Sequence, residues 1–239
     1  MSQKIFVFDA VGTVLHPIPD VATVYYEHGA SFGSQLTREQ IKVRFKTSRQ
    51  ALFFAQQEEV ALKYPAGELV SNETRERELW YQLVKSVFAD VPIEDLFDSL
   101  WNHFAEPSNW AVFKDVESCW NRLKSQGYQI AIASNFDARL NLVVQGHSVL
   151  KLADWCFCSA DLGFRKPDKE FYAQVQTEIV GGASAKSSTH EWTMIGDDLQ
   201  HDVLAPAAFG WNSIWLNRKN IPTKLDVHQL SSLDQLAQP

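Results

Sequence analysis

The sequence predicts an α/β fold: a three-layer core with a parallel sheet, interrupted by a helical insertion after its first strand. Three observations predict it. Short apolar runs recur along the chain, with lengths that suit strands buried on both faces of a sheet. Helical patterns separate the later runs, which is typical of parallel sheets. About a hundred residues of mostly helical pattern separate the first run from the second.

Each predicted strand ends in polar or glycine-bearing sequence. The strands lie at residues 5–8, 130–133, 155–158, 192–195 and 213–216. The helical patterns between the later strands lie at residues 116–126, 139–150 and 169–179. Ligands of open α/β sheets bind at the carboxyl ends of the strands, so the residues directly after each run are the functional candidates.

The gap between the first two strands contains three amphipathic patterns. A capping box at Thr37 to Gln40 begins a long helix that carries Ile41, Phe45 and Leu52 on one face. Two further apolar stripes follow; their members are Leu79, Trp80, Leu83, Val84 and Val87, and then Leu96, Phe97, Leu100, Trp101 and Phe104. We therefore predict a core of residues 1–17 and 108–239, and a helical insertion of residues 18–107.

Charge and composition exclude some kinds of partner. Lys and Arg total 22 and Asp and Glu total 29, which gives a formal net charge of −7 and argues against nucleic acid. No stretch approaches the ~18 apolar residues of a membrane span, and the first run is too short for a signal peptide. Cys119, Cys156 and Cys158 form no disulfide framework, which suggests a reducing compartment. We expect a cytoplasmic protein, of an oligomeric state that the sequence does not indicate.

Four groups of polar residues follow predicted strands. They are Asp9 to Thr13, Ser134 with Asn135, Lys166 to Asp168, and Asp197 with Asp198 and Asp202. Taken singly, each is explained by a turn or a helix cap. The adjacent acids at the mouth of a sheet repel each other and, unless exposed, need a cation such as Mg²⁺. The alternative is a helix N-terminus enriched in acids.

In this order the four groups resemble the motifs of the haloacid dehalogenase-like hydrolase superfamily. The family pattern is an Asp nucleophile in D-x-D-x-T, then Ser or Thr, then Lys, then an acidic cluster. The resemblance covers nearly the whole chain, and implies a Rossmann-like three-layer α/β core with a parallel sheet. It also implies that residues 18–107 form the family's helical cap domain.

The resemblance implies a role for each matching residue. Asp9 is expected to attack phosphorus and form an aspartyl-phosphate. Mg²⁺ is expected to bind Asp9, Asp197 and the backbone carbonyl of Val11. The expected substrate-binding residues are Thr13, Ser134, Asn135 and Lys166. Ser134 and Lys166 also count as catalytic, and Asp202 is expected to orient Lys166 or a water molecule.

Val11 departs from the family pattern, because phosphatases of the family have a second Asp at that position. Valine cannot protonate a leaving group or activate water, and such help is worth typically 10²–10⁴-fold. We therefore expect a Mg²⁺-dependent phosphatase for a small phosphorylated metabolite, with reduced activity. A phosphonate hydrolase and a catalytically impaired ligand-binding relative are the alternatives. Carbon–halogen cleavage ranks low, because dehalogenases of the family lose the signature that Gly196 and Asp197 form here.

Several residues of the insertion are weaker candidates. A phosphonate hydrolase needs a lysine that forms an imine with the substrate, and Lys42 and Lys46 are conceivable. Possible substrate contacts are Tyr25, Tyr26, His28, Arg44 and Arg49, although core packing and surface charge explain them as well. His201 lies beside the acidic residues and could carry a proton, although an exposed loop histidine is the simpler interpretation.

Overall fold

The computed structural model describes residues 3–63, 69–182 and 190–236, with residues 53–63 described by their backbone alone. The main sheet has six strands in the order β5-β4-β1-β6-β7-β8, and every neighbouring pair is parallel. The strands are β1 (Gln3–Phe8), β4 (Gln129–Ser134), β5 (Trp155–Cys158), β6 (His190–Gly196), β7 (Asn212–Leu216) and β8 (Gln229–Leu230). The prediction of an α/β fold with a parallel sheet is confirmed.

Helices cover both faces of this sheet. In the core they are α5 (Lys114–Ser125), α6 (Arg139–Gly146), α7 (Ser159–Leu162), α8 (Lys169–Gly182) and α9 (Ala205–Phe209). Side chains of β1 alternate between two apolar clusters because the period of a strand is two. Phe6 and Phe8 pack in one cluster, whereas Ile5 and Val7 pack in the other. The predicted three-layer architecture follows from this alternation.

The insertion consists of four helices that pack around an apolar cluster of their own. They are α1 (Val21–Ser31), α2 (Arg38–Lys63), α3 (Glu73–Val87) and α4 (Glu94–His103). The predicted capping box begins α2, because Gln40 N donates to Thr37 Oγ1 at 3.3 Å and Thr37 N donates to Gln40 Oε1 at 2.8 Å. Within the described ranges, no helix is long and apolar enough to cross a membrane.

A short antiparallel ribbon connects the insertion to the core. The chain enters the insertion through β2 (Leu15–Pro17) and returns through β3 (Trp110–Val112), which pairs with it. Ile18 N also donates to Asn109 O, at 2.8 Å. The two chain passages therefore lie side by side, next to the predicted division at residues 17 and 108, which stays a prediction.

The segment before α3 forms a second contact with the core. Ser71 N donates to Gly163 O at 2.8 Å, and Arg165 N donates to Leu69 O at 2.9 Å. Leu69 N donates to Asp168 Oδ2 at 2.6 Å. These backbone contacts hold the first turn of α3 beside the loop that carries Lys166.

The structure corrects two predicted elements. The helix predicted over residues 139–150 ends at Gly146, because His147 is extended (φ −115°, ψ 116°), and a 3₁₀ turn follows at Leu150–Leu152. The two-residue strand β8 was not predicted, since its apolar signal is a single leucine, Leu230.

Candidate active site

Four chain segments bring polar side chains to one edge of the sheet. Asp9 follows β1, Ser134 ends β4, and Asp197 follows β6. Because β1 lies between β4 and β6 and all three strands are parallel, their carboxyl ends are neighbours. Lys166 reaches the same point from the loop after α7, although it lies far from the other three in sequence.

Lys166 is the centre of the polar cluster. It is only 3% exposed, and its Nζ donates to Asp9 Oδ1 at 2.7 Å, to Asp202 Oδ1 at 2.6 Å and to Ala133 O at 3.2 Å. Burial alone lowers the pKa of the Lys166 ammonium, but the carboxylates of Asp202 and Asp9 outweigh it and raise that pKa. Lys166 therefore stays charged at neutral pH.

Ser134 and Asn135 hold this arrangement from β4. Ser134 Oγ donates to Asp9 Oδ1 at 2.9 Å. Asn135 Oδ1 accepts from Lys166 N at 2.7 Å, and its Nδ2 donates to Lys166 O at 2.9 Å. Both ends of the Asn135 amide are thus occupied by the backbone of Lys166. This contact positions Lys166, and it differs from the substrate contact predicted for Asn135.

Three carboxylates meet at this edge of the sheet. Asp9, Asp197 and Asp202 each place a carboxylate oxygen within 4.8 Å of the other two. Asp202 has both oxygens engaged, one by Lys166 and the other by Asp198 N at 3.0 Å. Asp202 therefore contacts Lys166 directly, and its predicted role in orienting Lys166 during the reaction stays a prediction.

Asp197 differs from Asp202 because no hydrogen-bond donor in the described parts of the chain contacts its carboxylate. Burial and the charges of Asp9 and Asp198 raise the pKa of Asp197 to about 6. A nearby cation would relieve this repulsion, and carboxylate oxygens are the ligands that Mg²⁺ prefers. The donor set therefore fits a divalent cation between Asp9 and Asp197.

Gly12 allows Asp197 to come this close to the turn after β1. Gly12 has φ +92°, and a Cβ at this position would overlap the Asp197 carboxylate. Val11 lies in the same turn, is 37% exposed and lines the cavity described below. The role of its backbone carbonyl as a metal ligand stays a prediction.

Thr13 and Asp198 make contacts that fix the local backbone, and Asp198 also lines the cavity described below. The Thr13 side chain is fully buried, and its residue is not among those that line the cavity. Its carbonyl accepts from Arg218 Nη2 at 2.9 Å, so Thr13 helps to fix the turn. Asp198 Oδ1 accepts from Gln200 N and His201 N, and caps the π-helical segment Leu199–Leu204. This contact matches the helix-terminus interpretation of Asp198.

A cavity of about 450 Å³ lies between the polar cluster and the insertion. We call Asp9, Val11, Ser134, Lys166 and Asp197 its floor. We call the apolar residues that the insertion contributes its roof. The roof residues are Val21, Tyr25, Phe45, Leu52, Leu79, Trp80, Leu83, Val84, Phe97, Leu100, Trp101 and Phe104. They lie on one side of each of the four helices, and Phe104 directly follows α4.

The weaker candidate residues of the sequence analysis fall into two groups, those that line the cavity and those that do not. Tyr25, Arg49 and His201 line the cavity. Burial lowers the pKa of His201, which disfavours its charged form. The residues outside the cavity lining are Tyr26, His28, Lys42, Arg44 and Lys46. Of these, His28 Nδ1 lies 2.9 Å from Ser99 Oγ, Arg44 Nη1 donates to Val87 O, and Lys42 faces Glu39.

Sequence reasoning missed a buried ion pair that joins the insertion to the core. Glu76 is 2% exposed, and its Oε2 accepts from Arg165 Nη1 at 3.1 Å. Its Oε1 accepts from Ser71 Oγ at 2.6 Å and from Ser159 Oγ at 3.1 Å. The available signal was an acid three residues before Leu79, on the apolar face of its helix.

A second missed group lies in the loop after β4. Arg139 Nε and Nη2 donate to the two carboxylate oxygens of Asp137, at 2.7 and 2.6 Å. Its Nη1 donates to Trp101 O at 3.1 Å, and its guanidinium lies 3.4 Å from the centre of the Trp101 ring. The paired guanidinium thereby fixes one roof residue to the core.

Comparison with known proteins identifies the family. The model of the haloacid dehalogenase-like hydrolases matches residues 3–210, and the chain belongs to this hydrolase family. Haloacid dehalogenase-like hydrolase domain-containing protein 3 of Danio rerio is 27% identical, over 96% of this chain and 93% of its own length. (S)-2-haloacid dehalogenase 4A of Burkholderia cepacia is 28% identical, over 59% of each chain.

Solved structures of the family share this fold. The HAD-hydrolase YfnB from Bacillus subtilis, crystallised with magnesium, superimposes with a TM-score of 0.71 and 17% sequence identity. The superposition covers 99% of this chain and 97% of the Bacillus protein. This likeness confirms the Rossmann-like three-layer core that the sequence motifs implied.

Proposed function

We propose that this protein is a Mg²⁺-dependent phosphatase that acts on a small phosphorylated metabolite through Asp9. The proposal takes residues 1–17 and 108–239 as the catalytic core and residues 18–107 as its cap, in a cytoplasmic protein. The observation that carries it is the contact of Asp9 with a buried, charged lysine and a serine hydroxyl. These are the groups that stabilise charge on a phosphoryl group.

Asp9 is the proposed nucleophile. One of its carboxylate oxygens attacks phosphorus, the phosphorus–oxygen bond to the leaving group breaks, and the departing oxygen takes a proton from solvent. Water then attacks the aspartyl-phosphate at phosphorus, which releases phosphate and restores the Asp9 carboxylate. Lys166 and Ser134 contact Asp9 and are placed to bind the phosphoryl oxygens.

The proposed Mg²⁺ ligands are Asp9, Asp197 and the carbonyl of Val11. When bound, the ion supplies positive charge that offsets repulsion between the nucleophile and the phosphate. The Asp197 carboxylate accepts no hydrogen bond from the part of the chain that the structure describes, and this and its raised pKa support a cation at this place. Asp202 keeps Lys166 aimed at Asp9, and Asn135 holds the Lys166 backbone.

The test compares two substitutions that change charge but little else. We expect Asp9→Asn to lower the turnover of p-nitrophenyl phosphate with Mg²⁺ by more than about 10³-fold, because the amide is not a nucleophile. Asp95→Asn, at an exposed position of α4, is the matched control and is expected to keep the wild-type rate. An unchanged rate in Asp9→Asn would contradict the proposal.

A catalytically impaired, ligand-binding relative is the second candidate, and Val11 favours it. An exposed apolar side chain stands where the proton donor of the family's phosphatases stands. This candidate predicts that a panel of phosphate esters raises the melting temperature without being hydrolysed. Phosphonate hydrolysis loses support because neither Lys42 nor Lys46 lines the cavity.

Carbon–halogen cleavage also has less support, despite the similarity to a haloacid dehalogenase. Such a reaction would use no metal ion, and would leave Asp9 close to Asp197, a carboxyl whose pKa is raised by burial and by the charges of Asp9 and Asp198. Release of chloride from 2-chloropropionate in the presence of EDTA would favour this reaction over the proposed one.

A further inference from the structure

We infer that the substrate is an aryl phosphate, a phosphate monoester whose leaving group is an aromatic hydroxyl. The inference rests on the proposed phosphatase function and names the substrate class of the same site. Two independent features carry it: the composition of the roof, and Val11 in the floor.

The roof offers an apolar surface in place of hydrogen bonds. Along α3, the side chains of Leu79, Trp80, Leu83 and Val84 form a continuous apolar strip that lines the cavity. The α4 helix adds a similar strip, with Phe97 and Trp101 among its members. An aromatic ring gains free energy on contact with such a surface, through burial and through ring stacking.

Two charged residues interrupt this apolar surface. Glu76 and Arg49 are the charged residues of the insertion that line the cavity within the described ranges. The carboxylate of Glu76 is already bound by Arg165, Ser71 and Ser159. The hydroxyl groups of a sugar or polyol phosphate would exchange water for this apolar wall, and burying an unpaired hydroxyl is unfavourable.

The floor also favours an aryl phosphate as the substrate, for a different reason. Val11 cannot protonate a departing oxygen, and the two acids that lie close to Asp9 have other roles in the proposed site. Asp202 binds Lys166 and Asp198 N, and Asp197 is a proposed ligand of Mg²⁺. An alkyl alkoxide needs a proton as it leaves, whereas a phenolate is a stable anion because a phenol has a pKa near ~10. Aryl esters therefore lose least from the absence of a general acid.

The cavity has room for such a group. Its volume of about 450 Å³ lies within the roughly 300–1,000 Å³ of typical ligand sites. A phosphate held by Lys166 and Ser134 on the floor leaves the remainder of that space to the leaving group, beneath the roof.

The experiment compares kcat/KM for 2-naphthyl phosphate and phenyl phosphate with that for glycerol 1-phosphate and glucose 6-phosphate, all with Mg²⁺. We expect the aryl esters to be preferred by at least about 10²-fold, the lower limit of the general-acid contribution. Comparable values for the aryl and alkyl esters would overturn the inference and leave the proposed phosphatase intact. No turnover of any ester would instead refute the proposed function, and the inference with it.

Trp80→Ala tests the roof separately. We expect kcat/KM for 2-naphthyl phosphate to fall about tenfold, mainly through KM, because part of the apolar contact is lost. The inhibition constant of inorganic phosphate, which reports on a folded floor, is expected to stay unchanged. Phe32→Ala, an exposed aromatic of the insertion outside the cavity, is the matched control. An equal loss for glycerol 1-phosphate and 2-naphthyl phosphate would overturn the role of the roof.

Discussion

The floor and the roof of the cavity face the same space but are built in opposite ways. Three floor residues, Asp9, Ser134 and Lys166, are single side chains at strand ends and in one loop, fixed by hydrogen bonds of 2.6–3.2 Å. The roof is made of apolar faces from four helices, held by non-directional packing. The comparison indicates a division of labour, in which directional contacts position the chemistry and apolar area selects the substrate.

This difference predicts different kinetic signatures. A floor substitution removes an interaction that acts on the developing charge, and is expected to lower kcat. A roof substitution removes contact with the part of the substrate that does not react, and is expected to raise KM. The predictions below test this division, in order of expected effect.

After Asp9→Asn, Lys166→Gln is the largest predicted change in the floor. Loss of the buried ammonium leaves Asp9 and Asp202 without the cation between them, so we expect kcat to fall by about 10²–10³-fold. Lys219→Gln removes an exposed lysine at the cavity rim and is expected to cost only a few-fold. Similar losses in the two variants would show that the total positive charge matters and the position of Lys166 does not.

Val11→Asp sharpens the comparison by adding an acid to the floor. We expect kcat for glycerol 1-phosphate to rise by about 10–10²-fold, because an acid at this position can protonate the alkoxide. The rise for p-nitrophenyl phosphate is expected to be much smaller, since its leaving group needs no proton. Rates for both esters come from the same phosphate-release assay, and an unchanged ratio would mean that proton donation does not limit this enzyme.

Glu76→Gln tests the junction between roof and floor. The substitution removes the carboxylate charge that pairs with the buried guanidinium of Arg165, and we expect the free energy of unfolding to fall by about 3 kcal/mol. Urea unfolding followed by tryptophan fluorescence measures this loss. The control is Glu78→Gln, two residues further along the same helix. Among the described contacts, the Glu78 side chain accepts a hydrogen bond from Gln82 alone, so we expect this substitution to change stability little. Equal stabilities would show that the pair does not fasten the insertion.

Asp197→Asn is expected to give the smallest change in stability. Unlike most substitutions, it is expected to stabilise the folded protein. The pKa of Asp197 is raised to about 6, so its charge destabilises the folded state above that pH and not below the unfolded value near 3.8. Without Mg²⁺ we expect the variant to melt a few degrees higher than wild type at pH 7.5, and equally at pH 4.

The same variant is expected to lose its response to metal. Mg²⁺ should raise the melting temperature of the wild type at pH 7.5 and leave that of Asp197→Asn unchanged, because one proposed ligand is gone. A variant that is less stable at pH 7.5 and still responds to Mg²⁺ would place the cation elsewhere.

Much of the floor could be predicted because its residues follow a rule of topology. Asp9, Ser134 and Asp197 each come directly after an apolar run, and parallel strands bring such positions together. Lys166 was also predicted to follow a strand, but α7 lies between β5 and the loop that carries it. The contacts of Asn135 and Thr13 were harder to predict from the sequence. The orientation of an amide or a hydroxyl group depends on contacts between distant segments of the chain.

The roof could be predicted only in part. The apolar stripes of α2, α3 and α4 were evident from their spacing, but periodicity does not distinguish a face that packs against a helix from one that lines a cavity. Val87 belongs to the packed cluster, whereas Leu79 of the same stripe lines the cavity. The pair of Glu76 with Arg165 joins residues 89 positions apart, which no local pattern reports.

The most direct test of the central claim is to locate the covalent intermediate. Borotritide reduces an acyl phosphate to an alcohol, so enzyme quenched with it during turnover of 2-naphthyl phosphate should carry tritium at position 9, as homoserine. Enzyme quenched without substrate should carry none. Continued hydrolysis with no label at position 9, or with label on another acid, would contradict the role of Asp9.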